Sequence, residues 1–142
     1  MKRFSFSLDR VRAWRQEQVE IEEMRLASLH AALLAIQQER AQVLQQRQEA
    51  ETSVDRGCPA DMIQLAQFRQ HLGQREQAIA QREQAKAVEA EAQRTRLLEA
   101  RREHQLLQEL RKKRFAAWRA TGDKEQEDLA AELFLARRHR SA

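Results

Sequence analysis

Residues that oppose a long helix are rare in this chain, and they gather in one place. The only proline, Pro59, the only cysteine, Cys58, and Gly57 all lie in "DRGCPAD", residues 55–61, near the middle of 142 residues. From Leu8 to Ser53 there is neither glycine nor proline, and the remaining glycines, Gly73 and Gly122, stand alone. The rest is rich in Ala, Leu, Glu, Gln and Arg, the strongest helix formers. A chain so punctuated is expected to form one helix over about 8–53, a bend at 54–59 and a second helix from about 59 to 120. Gly57 suits a left-handed backbone after a helix end. Pro59 suits the first turn of a new helix, because its missing donor would be unpaired there anyway. Asp61 then sits in the first turn, against the positive end of the helix dipole. A connection this short makes the two helices antiparallel neighbours.

Apolar spacing supplies the surface on which they meet. Leu26, Leu29, Leu33, Ile36, Val43, Ala50 and Val54 follow alternating steps of three and four, a seam interrupted by Arg40 and Arg47. Such a stripe is buried only against another helix. Val11, Trp14 and Ile21 lie on one face upstream, but joining them to Leu26 requires a shift of register. On the second helix Leu65, Phe68, Leu72 and Ile79 begin the facing seam. The repeat "QREQAIA", "QREQAKA" (74–87) continues it with small residues, and Leu97, Leu98, Leu106, Leu107 and Leu110 restore bulk. At ~1.5 Å per residue the first arm is about 70 Å long and the second over about 90 Å. Folding at residue 57 would set Leu8 beside Leu106, so that the sequence beyond about 110 overhangs. "TGDK" (121–124) offers a break near 122, before a terminal helical piece over 123–138. The expected fold class is therefore all-α: a single antiparallel two-helix coiled-coil hairpin, 1–142, with a C-terminal overhang.

Composition agrees with a rod rather than a ball. Charged residues make up 34% and aromatics 5%, and mean hydropathy is −0.83, too polar for a sizeable apolar centre. Disordered chains are polar as well, but they are rich in Pro and Gly, and here these number only 1 and 3. A lone cysteine cannot form an internal disulfide, which fits a reducing compartment. The start has no apolar run of a signal peptide, and no stretch approaches the ~18 apolar residues of a membrane span. A cytoplasmic protein, at most peripheral to a membrane, is expected.

Nothing in the sequence suggests an enzyme or a cofactor. There is no glycine cluster to cradle phosphate, and His30, His71, His104 and His139 lack companions at metal-ligand spacing. A two-helix rod also offers little concave surface. Three surface features remain. Between 94 and 119, nine Arg and Lys face only Glu99, Glu103 and Glu109. This is either a solvated face, the footprint of an acidic protein partner, or a nucleic-acid contact, of which nucleic acid is the least expected. Phe68 and Leu72, four apart on one face, either enter the seam or form a docking patch. Phe4, Phe6 and Leu8 either fold back as a hydrophobic staple or meet a partner.

At these residues the sequence resembles the flagellar FliJ family. The opening "MKRFSFSLDRVRAWRQEQVE" is similar in its basic start, its Phe4, Phe6, Leu8, Val11 spacing, and Arg15 with Glu17. "QFRQHLGQREQAI" resembles the segment after that family's bend. "LRKKRFAAWRA" and "EQEDLAAELFLARR" resemble its basic-aromatic stretch and closing amphipathic helix. The resemblance implies a non-enzymatic coiled-coil stalk and adaptor of flagellar type III protein export, on the cytoplasmic side of the inner membrane at the flagellar base. Its open end would enter the ring of the export ATPase, FliI. The segment after the bend would contact the membrane export gate, FlhA, and the protein would handle export chaperones. Carried over, the gate contact falls on Phe68 and Leu72. The ring contact falls on Phe4, Phe6, Val11, Arg111, Lys112, Lys113, Arg114, Phe115 and Trp118. The stalk of a virulence-type secretion system, a nucleic-acid-binding helix and a purely structural coiled coil are the alternatives.

Overall fold

A computed structural model describes residues 2–141. The chain is all-α, with two long helices: α1, Asp9–Ser53, of 45 residues and α2, Pro59–Arg140, of 82 residues. It divides into two compact units. One is the chain up to Val19 together with the chain from Glu99 onward; the other is Glu20–Leu98. No helix among the described residues is long and apolar enough to cross a membrane.

In the Glu20–Leu98 unit the helices run antiparallel. Glu51 pairs with Arg69, Arg47 with Glu76, Arg40 with Glu83, and Glu39 with Arg82. The core follows the expected heptad: Ile36 and Val43 of α1 cluster with Leu72 and Ile79 of α2. Burying such side chains stabilises the pair by about 1.5–3 kcal/mol each. Arg40 and Arg47, which interrupt the α1 seam, meet Glu83 and Glu76 at equivalent seam positions of α2. The polar interruptions are thus matched in register. Further along, the buried amide of Gln93 donates to the Glu22 backbone carbonyl at 3.2 Å and also to the Glu22 carboxylate.

The bend is built differently from the expectation. No glycine among the described residues has a positive φ, so Gly57 does not supply a left-handed cap. Its amide instead donates to Asp55 Oδ1 at 3.0 Å, while the Cys58 amide donates to the Asp55 carbonyl at 3.1 Å. A Cβ at position 57 would lie 3.3 Å from that same carboxylate oxygen, so glycine leaves room for the turn closed by Asp55. The last turn of α1 is capped by its own hydroxyls, Thr52 to the Gln48 and Glu49 carbonyls and Ser53 to the Ala50 carbonyl. Pro59 opens α2 with Asp61 in its first turn, as the sequence indicates.

The unit formed by the chain ends corrects two further expectations. Across the two helices Asp9 approaches Arg111 at 3.7 Å, and Arg114 donates to Ser7, so Leu8 faces the region of 111–114 rather than Leu106. The connection at 54–58 is non-helical and rises more per residue than a helix. It therefore carries the chain past the end of α1 before α2 begins, which displaces the pairing by several residues. The break near 122 is also absent, because α2 is continuous through Gly122. The Thr121 hydroxyl donates to the Ala117 carbonyl at 3.0 Å. Gly122 is buried and lines a recess with Lys2 and Trp118. Gly122 therefore sits inside the helix and does not end it.

Candidate functional site

The N-terminal "RFSFSLD" and the "LRKKRFAAW" stretch of α2, distant in sequence, form one aromatic and basic cluster in the unit made by the chain ends. Residues 3–6 are non-helical, and a turn closed by the Asp9 amide and the Phe6 carbonyl (3.1 Å) starts α1. From this non-helical segment Phe4 and Phe6 reach α2 at separate points. The Phe4 ring meets Phe115 edge-on, centroids 5.1 Å apart at 83°, and Trp118 at 5.6 Å. Phe115 and Trp118 are themselves 5.6 Å apart. T-shaped and tilted contacts of this kind set the positive ring edge against the negative ring face.

Cations cover the outside. The Arg111 guanidinium lies 5.6 Å from the Phe4 centroid and that of Arg114 5.5 Å from Phe6, within cation–π range. Arg114 Nη1 also donates to Ser7 Oγ at 3.2 Å, and the Trp118 indole N–H donates to the Lys2 carbonyl at 3.0 Å. Arg111 Nε is buried and lies 3.7 Å from Asp9 Oδ1, beyond hydrogen-bond reach. About two turns further along, Arg15 pairs with Glu103, and its guanidinium lies 4.9 Å from the Trp14 ring. His104 Nε2 is buried nearby without a hydrogen-bond partner.

The expected ring-contact residues therefore separate. Lys112, Lys113, Arg114 and Phe115 are exposed, and Val11 is 42% exposed. Phe4, Arg111 and Trp118 are half-buried, shared between the cluster and solvent. Phe6 is only 6% exposed. It is a staple residue locked under Arg114, and it cannot meet a partner without unfolding the N-terminal segment. Val11 lies off the inward face of this part of α1, which is made by Arg12, Arg15 and Val19.

The expected gate-contact pair is divided more sharply. Leu72 is 1% exposed and belongs to the core cluster, so it is a seam residue and not part of a docking patch. Phe68 is 37% exposed and borders a groove lined by Ala50, Val54, Asp61 and Leu65. Four residues do not complete a whole number of turns, and that offset suffices to turn one ring outward while its neighbour is buried. Gly73 beside them has open space where a side chain would lie, so the fold does not require glycine there.

Sequence reading missed Ser7, Asp9 and Gly122 as parts of the cluster. The polar residues alternate with Phe4, Phe6 and Leu8, and that alternation was the available signal. Gly122 looked like a helix breaker because its neighbour in space is far away in sequence. Among the described residues no group of three or more His, Cys, Asp or Glu side chains could hold a metal ion. Comparison with family models, with curated proteins and with solved structures finds no match to this chain. The functional reading accordingly rests on the residues and their arrangement.

Proposed function

We propose that this protein is a non-enzymatic stalk and adaptor of the flagellar type III export apparatus, its aromatic-basic end engaging the export ATPase ring. The observation that carries the reading is the meeting of the two segments most similar to the FliJ family. Phe4 packs against Phe115 and Trp118, with Arg111 and Arg114 over the rings. A preorganised aromatic platform ringed by cations suits docking on an acidic protein surface, where exposed aromatics anchor and charge steers approach. Lys112, Lys113, Arg114 and Phe115 supply its outward face. Phe68 alone represents the expected gate contact, because Leu72 is spent in the core.

Single helices and helix pairs expose many weak, solvent-screened charges, and contacts of that kind allow a rod to turn or slide within a ring. The test is the hydrolysis rate of the flagellar export ATPase with and without the purified protein. Stimulation that falls when Lys112 and Lys113 are changed to Glu is the expected result. An ATPase indifferent to the wild-type protein would refute the reading.

A further inference from the structure

The non-helical segment before α1 is fastened to α2 almost wholly by side chains. Among the described residues no backbone–backbone hydrogen bond joins residues 2–7 to α2. The Trp118 indole bonds to the Lys2 carbonyl, Phe4 packs against Phe115 and Trp118, Phe6 is buried, and Arg114 bonds to Ser7. Ordering such a segment costs conformational entropy at every residue. Chain ends held by few contacts open at free energies far below that of global unfolding. Residues 2–7 therefore form a local unit that can come away while α1 and α2 keep their own helical hydrogen bonds.

Two of the fastenings are cations that also face solvent. The Arg114 guanidinium lies 5.5 Å from the Phe6 centroid and donates to the Ser7 hydroxyl; that of Arg111 lies 5.6 Å from Phe4. The bond of Arg114 is to a neutral oxygen, and Arg111 Nε has no hydrogen-bond partner. A carboxylate arriving from outside binds a guanidinium more strongly than a hydroxyl or a ring face does, and holds it bidentately. Turning the guanidinium outward for that pair takes it off the ring and the hydroxyl beneath it.

We infer that residues 2–7 are a releasable strap: an acidic partner that takes Arg111 and Arg114 lifts the segment and uncovers Phe115 and Trp118. The inference rests on the reading of this end as the docking face, and adds that docking there opens it. Lys112 and Lys113, exposed beside the cluster, draw the same partner in without holding the strap.

Pulsed electron resonance on the full chain tests this, with spin labels on Ser5→Cys and Ala116→Cys in a Cys58→Ser background. Both sites are exposed, and circular dichroism verifies helix content. Alone, the protein should give one narrow, short distance. Polyglutamate at low salt should convert part of it to a broad, longer distribution, and polylysine should not. Arg114→Gln should raise the open fraction by about threefold or more without any peptide. A narrow distance that persists with polyglutamate and in Arg114→Gln would overturn the inference. A strap freed by Arg114→Gln but indifferent to polyglutamate would overturn it too, since the fastening would then answer to no anion. No ATPase enters the measurement, so the export reading can fail on hydrolysis while the strap stands.

Discussion

Arg47 and Glu76 face each other across the two helices of the Glu20–Leu98 unit, nitrogen to oxygen at 3.0 Å, each at a seam position where its own helix would otherwise carry an apolar side chain. Two turns away Arg40 and Glu83 repeat the arrangement at 2.7 Å. These pairs are partly exposed, so each adds only modestly to stability. Their matched positions favour one register of pairing over slipped ones, the best-attested use of polar seam residues.

Arg47→Leu alone should therefore destabilise the protein, by about 1 kcal/mol, because it leaves a half-buried carboxylate without its cation. Arg47→Leu with Glu76→Leu should regain that loss or exceed the wild type, since two apolar residues then pack across the seam. Urea denaturation of the single and double variants measures both effects. A double variant less stable than either single one would show that the pair contributes more than its desolvation costs.

Leu72 and Phe68 are expected to respond oppositely to truncation. Leu72→Ala opens a cavity in the core and should cost about 2–5 kcal/mol. Phe68→Ala should cost under about 1 kcal/mol while weakening any partner that docks after the bend. Thermal melts and binding to the purified export gate domain separate the two. A Phe68→Ala variant as unstable as Leu72→Ala would remove Phe68 from the list of docking residues.

The Phe4, Phe115 and Trp118 cluster should report its own integrity. In a Trp14→Phe background, where Trp118 is the sole tryptophan, Phe4→Ala should shift its emission to longer wavelength with helix content unchanged. An unshifted spectrum would mean that Phe4 does not shield the indole.

Glu51 and Arg69 provide a pH-dependent contact near the bend. Arg69 Nε and Nη2 each donate to the carboxylate at 2.6 Å, and this hydrogen bonding, aided by the Arg69 charge, holds the Glu51 carboxyl below the usual carboxylate range. A depressed carboxyl contributes stability that is present above its unfolded-state value and is lost as pH falls through the folded-state value. The contact is thus complete at neutral pH and disappears in acid. Carboxyl-resolved NMR titration should place Glu51 lower than in the Arg69→Gln variant; coincident titrations would contradict the pairing.

The seam from Leu26 to Val54 and the bend were legible because apolar spacing and helix breakers signal them directly. What could not be read was whatever depended on polar seam residues. Arg12, Arg15 and Glu22 are less exposed than Val11, Trp14 and Ile21, but an apolar count passes over them and picks the exposed residues instead. The pairing offset depends on how steeply residues 54–58 rise, which composition does not encode. The roles of Phe6 and Leu72 turned on a rotation of a fraction of a turn. Gly122 resembled a break because a lone glycine beside Thr121 and Asp123 reads as a turn, and nothing nearby in sequence signals that it is buried.

All of these assignments require the arms to pair within one molecule. Spin labels at Gln46 and Gln77, in a Cys58→Ser background, test that by pulsed electron resonance. Helices packed ~8–10 Å apart predict one narrow, short distance that persists when labelled protein is diluted into unlabelled protein. A short distance that vanishes on dilution would show that the arms zip between molecules, and the hairpin, with the stalk built on it, would be wrong.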